Sequence, residues 1–234
     1  MSGSYTKRFD GRGFDELRSM SAKVGVVPRA DGSAMFQIGK TMAYAAVYGP
    51  RDLHPKFMQN PETGILRVNY NMMPFSGHGN RVRPGGGRRS KEISMVIQNA
   101  LLPVLNLKEY PNAVVDIFVE LPQTDAGTRC AAITAAAMAL ADAGLEMKDL
   151  VCAVAAGRVM DKVVLDLNYL EDSHEDGADL PVAILPNSGK VTLLQMDGEV
   201  TREQLKEAIT KAKDACKKIY ELQKAALKER FVRE

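Results

Sequence analysis

Three groups of residues in this chain carry side chains able to handle phosphate and protons. The first is Gly127, Thr128 and Arg129, where the polar turn TDAG meets a run of small apolar residues. A helix starting there has unpaired N–H groups at the positive end of its dipole. A hydroxyl and a forked guanidinium stand beside them, and glycine lets a ligand approach the backbone. That is an anion site; the plainer alternative is a core helix capped by Asp125 with a solvated arginine. The second group is cationic. Arg81, Arg83, Arg88, Arg89 and Lys91 fall within eleven residues, in and just after the glycine-rich loop FSGHGNRVRPGGG. Either the loop is merely solvated, or it wraps a polyanion that passes close to the glycines while a helix holds Arg88 and Arg89. His78 reads as a plain loop residue. The third group is acidic, with Glu171, Asp172, Glu175, Asp176 and Asp179 crowded into NYLEDSHEDGAD. Carboxylates this dense repel, so either salt screens them or a hard divalent cation gathers some of them. Asp172 and Asp179, each beside a strand, are best placed to be held together, whereas Glu175 and Asp176 face solvent.

The elements that must position these groups follow from periodicity. Eight alanines between Ala131 and Ala143 favour a helix, with Ile133, Ala136, Ala137 and Leu140 on one face and Gly144 as its left-handed end. Ile93, Val96, Ile97, Ala100 and Leu101 give an amphipathic helix behind Arg88 and Arg89. Alternation through Lys23–Val27, Ala34–Gly39 and Met42–Tyr48 predicts an antiparallel meander. Leu66, Val68, Tyr70 and Met72 alternate with Arg67, Asn69 and Asn71, which leaves one face of that strand polar. A strand over Ala113–Leu121 leads into the Gly127 mouth. Four more strands are predicted at Val151–Val159, Val163–Leu167, Leu180–Leu185 and Val191–Met196. A final helix opens on a capping box from Thr201 to Gln204 and frays into KERFVRE. Sheet followed by helix thus occurs twice. The expected fold is α+β, with two sheet-plus-helix halves, 17–145 and 146–234, packed as one compact unit. Residues 1–16 read as a flexible basic arm that adds nothing to the core, with Arg8 and Arg12 free to touch a partner.

The chain's 234 residues, 45% hydrophobic and 26% charged, can bury a sizeable core, which excludes a disordered or fibrous protein. Net charge is only +2, so any attraction to a polyanion must come from local clustering. Cys130, Cys152 and Cys216 are odd in number and lack metal-ligand spacing, which predicts reduced core thiols. The longest uncharged run of small residues, Cys130–Ala141, is too short to span a bilayer. A cytoplasmic protein without a membrane partner is expected.

Longer segments carry more specific information. FDGRGFDELRSM, ADGSAMFQIGKT, AAVYGPRDLHP, LRVNYNMMPFS, the Arg88-Arg89 pair, QTDAGTR, MALADAG, VLDLNYLEDS and LPVAILPNSGKVTLLQMDG follow one another along nearly the whole chain. In these the sequence resembles the ribonuclease PH family, most closely the catalytic RNase PH-like subunits of the archaeal exosome. The resemblance implies an RNase PH-like fold of the ribosomal protein S5 domain 2-like type. It implies a 3′-to-5′ exoribonuclease in which inorganic phosphate, as co-substrate, attacks the last phosphodiester and releases a nucleoside diphosphate, with a reverse reaction that adds nucleotides.

It also implies roles. Gly127, Thr128 and Arg129 would hold the attacking phosphate, and Arg88 and Arg89 the backbone of single-stranded RNA near its 3′ end. Arg81 and Arg83 would line a channel, and Arg67 would add an RNA contact. Asp172 and Asp179 would bind Mg²⁺ or Mn²⁺, or supply the proton that the leaving oxygen requires. The implied partners are a non-catalytic RNase PH-like subunit, in a hexameric ring built as a trimer of dimers, and RNA-binding cap subunits. A homohexameric ribonuclease PH that trims transfer RNA ends is an alternative. So is a non-catalytic RNA-guiding subunit, although such a subunit would lack an aspartate or the phosphate-site arginine. Two departures stand out: Thr128 occupies a position where serine is expected, and the loop from Asp172 to Asp179 is one residue longer than usual.

Overall fold

Alternating side chains at Thr41, Ala43, Ala45 and Val47 face inward along one long strand, and the first sheet is assembled around it. The computed structural model describes residues 5–78, 80–83 and 86–232; residues 1–4 of the predicted arm, loop positions 79, 84 and 85, and the last two residues lie outside that description. The first sheet runs in the order β1 (Met20–Val24), β2 (Gly32–Ile38), β3 (Thr41–Asp52), β5 (Ala113–Gln123), β4 (Ile65–Met72). The first three strands form the predicted antiparallel meander, β5 runs antiparallel to β3, and β4 pairs parallel with β5. The second sheet is antiparallel throughout, in the order β7 (Lys162–Leu165), β6 (Cys152–Val159), β8 (Gly177–Ile184), β9 (Val191–Leu194).

Helix α2 (Thr128–Asp142) packs against β2 and β3 of one sheet and β6 of the other, and it is buried on every side. That explains its composition. A helix apolar all round belongs inside a core, and alanines let two sheets close on it without long side chains holding them apart. Cutting Ile133 to alanine there would cost about 2–5 kcal/mol. Helix α1 (Arg88–Leu101) lies on β4, and α4 (Arg202–Val232) covers β6, β7 and β1. One hydrophobic cluster runs through both sheets and includes all three cysteines, each a buried free thiol. The two halves therefore share a core, as an α+β unit should. Among the described residues no helix is long and apolar enough to cross a membrane.

Three expectations need correction. The N-terminal arm is not a bystander from residue 5 onward: Tyr5 is in the core, and Arg8 is buried against Glu171, with Nε–Oε1 at 2.8 Å and Nη2–Oε2 at 2.6 Å. Its Nη atoms also donate to the Leu165 and Asp166 carbonyls. A charge buried this deeply needs every donor matched, and the arm therefore packs on the second half instead of swinging free. Within the acidic segment, Asn168 and Glu171 form a capping box around a short helix α3 (Tyr169–Asp172), so Glu171 is structural. At the other end, α4 does not fray at Lys228: it continues to Val232, with Arg230 paired to Asp142. Its predicted capping box is present, Thr201 and Gln204 each accepting the other's backbone N–H.

Candidate active site

Helix α2 opens on Gly127, whose φ of 64° lies in the left-handed region that glycine tolerates, and no side chain caps it. Asp125, expected as the cap, is occupied elsewhere. Its Oδ1 accepts the Tyr169 N–H at 3.0 Å and its Oδ2 lies 3.6 Å from Arg18. The first N–H groups of α2 are consequently left open, as an anion site requires. Thr128 is buried at the helix start, and Arg129 Nη1 donates to Gln195 Oε1 at 2.7 Å, which fixes the guanidinium.

Two consecutive residues of this turn, Ala126 at φ 54° and Gly127, are left-handed. A non-glycine residue adopts that conformation only when its surroundings over-determine it. Here Thr41 Oγ1 accepts the Asp125 N–H at 2.8 Å and donates to the Ala126 carbonyl at 2.7 Å. Arg18 donates from Nη1 to the Asp125 carbonyl. The other donors of Arg18 go to Asp166, with Nε–Oδ2 at 2.8 Å and Nη2–Oδ1 at 2.6 Å. Burial by itself would lower the Arg18 pKa; the Asp166 carboxylate reverses this and holds it above its usual value. Asp166, in the second half of the chain, thus braces the turn through Arg18, and both side chains are buried.

Facing the turn is the acidic pair. Asp179 sits inside β8, cross-bridged to Asp197 by two backbone hydrogen bonds of 2.9 Å, and opposite Gly157 of β6. A Cβ on Gly157 would come within 2.2 Å of the Ala178 carbonyl, so glycine there lets β6 and β8 meet next to the aspartate. Asp172 comes from α3. Arg89, Gly127, Thr128, Arg129, Asp172 and Asp179 all line one cavity of about 360 Å³. Burial first, then the Asp172 charge, push the Asp179 carboxyl up to about 7, against the opposing pull of Arg129 and Arg89. Asp172 is also raised, mainly by desolvation at the cavity mouth, with Arg89 and Arg129 acting the other way. Asp179 Oδ1 is buried without a hydrogen-bond partner. An orphaned carboxylate oxygen beside a second carboxylate suits a hard divalent cation. Among the described residues no cluster of three or more His, Cys, Asp or Glu could hold a metal alone. The fit is therefore to an ion such as Mg²⁺, which takes one or two carboxylates and leaves its other positions to water and phosphate oxygens.

The remaining predicted residues divide. Arg89 reaches the cavity, while Arg88, its neighbour on α1, is exposed and not among the lining residues. Arg81 and Arg83 are exposed on the loop. Arg67 is not brought to the site: it forms a forked pair with Asp116 of β5, at 2.7 and 2.8 Å, on the face of β4 opposite buried Leu66, Val68 and Tyr70. Glu175 and Asp176 are exposed, as predicted. Sequence reasoning missed Arg18, Thr41, Asp166, Gln195 and Asp197, none of which has local spacing that marks it. The one available signal was the recurrence of Arg8, Arg12 and Arg18 through RFDGRGFDELRSM, a density of arginine beyond what a solvated arm needs.

Comparison with known proteins gives this arrangement relatives. A model described as the 3′ exoribonuclease family, domain 1, matches residues 16–146, and its domain 2 matches residues 149–215. The exosome complex component Rrp41 of Methanopyrus kandleri is 52% identical over 224 residues, covering 96% of this chain and 93% of that protein. The protein of the same name from Thermococcus gammatolerans is 52% identical over 227 residues, 97% of this chain and 90% of that one. Among solved structures, rice (Oryza sativa) Rrp46 superposes with a TM-score of 0.81 at 26% identity, covering 94% of this chain and all of that one. A chain of the Archaeoglobus fulgidus exosome with RNA bound to the active site superposes with a TM-score of 0.79 at 23% identity, covering 92% of each chain; at that identity the likeness speaks to the fold.

Proposed function

The chain belongs to the 3′ exoribonuclease family, and we propose that it is the catalytic subunit of an archaeal exosome ring, shortening RNA by phosphorolysis. As a family member it is an RNase PH-type 3′-to-5′ exoribonuclease, and the Rrp41 proteins at about half identity over nearly full length place it on the exosome branch. The observation that carries the phosphorolytic reading is the opposition of two built surfaces in one cavity. An uncapped helix start with Thr128 and Arg129 faces the acid pair Asp172 and Asp179, with Arg89 beside both.

That opposition suits the reaction. Inorganic phosphate and an RNA phosphodiester are both anions. The N–H groups at the start of α2, with Thr128 and Arg129, hold the first, and Arg89 holds the second, so that the like charges can approach. A phosphate oxygen forms a bond to the phosphorus of the terminal nucleotide, and the bond from that phosphorus to the preceding 3′ oxygen breaks. The products are a nucleoside diphosphate and an RNA one nucleotide shorter. The departing 3′ oxygen takes a proton, and Asp179, whose carboxyl is held near neutral pH, is the donor its surroundings favour. Asp172 and, in its ionised form, Asp179 would hold Mg²⁺ or Mn²⁺, which would supply charge neutralisation at the phosphoryl oxygens; the metal-holding and proton-donating roles of Asp179 are alternatives. Because a phosphodiester is exchanged for the phosphoanhydride of a nucleoside diphosphate, a bond of similar energy, the reaction runs in reverse when diphosphates are abundant and phosphate is scarce.

A groove this short holds only the end of a polymer. The polymer is held by assembly: a ring with a non-catalytic RNase PH-like partner, built as a trimer of dimers and topped by RNA-binding caps, would gather Arg81, Arg83 and Arg88 around a channel. Three buried free thiols fit a reducing cytoplasm. Product analysis tests the chemistry. With labelled RNA, nucleoside diphosphates should form only when phosphate is present, and Arg129→Ala should raise the phosphate KM about tenfold to a hundredfold while RNA affinity holds, as expected for a lost charge-assisted contact. Monophosphates formed in phosphate-free buffer, at a rate Arg129→Ala leaves untouched, would make water the nucleophile. Native mass with and without the partner subunit tests the ring.

A further inference from the structure

His78 and Tyr169 come from opposite halves of the chain and stack on each other, ring centroids 4.8 Å apart and planes 26° from parallel. Each ring is about half exposed, Tyr169 at 43% and the His78 side chain at 50%. An exposed aromatic pair is an unusual use of apolar surface, and aromatic faces left open near a charged site are where flat ligands bind. Both rings line the 360 Å³ cavity that holds Arg89, Thr128, Arg129 and Asp172. On their other side they line a second cavity of about 650 Å³, together with exposed Phe9 and Leu170.

We propose that the His78–Tyr169 stack is the shelf for the nucleobase of the RNA's 3′-terminal nucleotide. The proposal rests on the exoribonuclease reading above and gives it a base subsite. A nucleotide held by its phosphate between Arg89 and the α2 mouth carries its base beyond the ribose, where the stack forms the aromatic part of the cavity wall. The free phosphate co-substrate, having no base, needs no such surface. Asp125 ties the shelf to the phosphate turn: its Oδ1 accepts the Tyr169 N–H and lies 3.9 Å from His78 Nε2, and its carbonyl is held by Arg18. The distance from phosphate to shelf is therefore set by a braced segment and not by a free loop. Stacking uses the face of a base, which all four bases share, so the shelf accepts any 3′ end.

The test places 2-aminopurine at the 3′ terminus of a short RNA and follows its fluorescence on binding to the full chain, assembled with its ring partner, in phosphate-free buffer. The wild type should quench the probe strongly. His78→Ala and Tyr169→Ala should each relieve most of the quenching and weaken binding about tenfold, the order expected for one lost base stack. Tyr169→Phe, which keeps the ring and loses only the hydroxyl, should behave as wild type. Both alanine variants leave the phosphate KM unchanged. Full quenching with unchanged affinity in both alanine variants overturns the shelf. Failure of the wild type to bind RNA, or to shorten it to nucleoside diphosphates once phosphate is added, removes the reading on which the shelf rests. That failure shows in the wild type alone, so the two cannot be confused.

Discussion

Two helices bring their N-termini to the same cavity, and the chain treats them differently. At the start of α2 every piece is held: Thr41 and Arg18 fix the turn, Asp166 fixes Arg18, and Gln195 fixes Arg129. At the start of α1 the cap is Gly87, no side chain caps the helix, and Arg88 and Arg89 stand exposed. Groups that meet reacting atoms must be in place before the ligand arrives, since reorganising them during the reaction raises the barrier. Groups that follow a polymer can be ordered by the polymer itself. Substitutions at the first helix should therefore be large and specific in effect, and those at the second small and dependent on salt.

The largest effect belongs to Asp179. Asp179→Asn keeps the shape and removes both the proton and the charge, so turnover should fall about 10² to 10⁴-fold with RNA and phosphate still bound. Retained turnover would move the acid role to another group. The same substitution gives an opposite result in stability. In the native protein the carboxyl is raised to about 7, so between its ordinary range and pH 7 the unfolded chain releases a proton that the folded chain keeps. Stability is thus lost as pH rises through that window. Without divalent metal, Asp179→Asn should be more stable than wild type by a few kcal/mol, on the order of 1–4, at pH 8, and the gain should vanish toward pH 4. A thermal melt at both values checks the sign.

Next comes the brace. Arg18→Ala removes the two shortest side-chain contacts of buried Asp166 and leaves it the residue-18 N–H and Arg12 Nη1 at 3.4 Å, so the loss should approach that of a broken buried pair, about 3–5 kcal/mol. Denaturant unfolding reads that loss, but loss of stability alone would not distinguish a brace from any core residue. The discriminating variant is Arg18→Lys, which keeps the charge yet cannot reach Asp166 and the Asp125 carbonyl together. It should recover much of the stability while the phosphate KM stays raised several-fold and RNA affinity is normal. A phosphate KM that returns with stability would reduce Arg18 to a structural role.

These differences track what could be seen in the sequence. Helix α2 was legible because a run of alanines with a glycine at each end has few other meanings, and α4 because its cap and apolar stripe are local. The meander β1–β3 declared itself by alternation. Partner choice did not: nothing within Ile65–Met72 says that it will pair parallel with β5, or that Arg67 will spend its fork on Asp116. Gly127, Thr128, Arg129, Asp172 and Asp179 were found because their chemistry is in their own side chains. Arg18, Thr41 and Asp166 act through backbone carbonyls and a left-handed turn, which depend on φ angles and on contacts 84 to 148 residues apart. Asp166 is itself left-handed, at φ 53°, an unusual choice for a buried aspartate that no spacing rule announces. Glu171 misled for the converse reason: in the sequence it is one more acid in an acidic loop, and its pairing with Arg8, 163 residues away, together with the Tyr5 hydroxyl, makes it a core residue.

The smallest expected effects separate two adjacent arginines. Arg88 and Arg89 look equivalent in the sequence, but only Arg89 lines the cavity, and its charge pulls both Asp172 and Asp179 downward in pKa. Arg88→Ala should weaken RNA binding a few-fold, without base preference, and make the slope of log affinity against log salt shallower by about 0.7, the contribution of one contact to a single strand. Its pH–rate profile should match wild type. Arg89→Ala should show the same loss of salt dependence and one change more: with that cation gone, Asp179 holds its proton to higher pH, so the alkaline limb of the turnover profile should move upward by a fraction of a unit. Phosphate present at saturation keeps binding out of this comparison. If neither variant shifts the limb, both arginines act on the polymer alone, and Arg89 belongs wholly with the polymer-ordered arm.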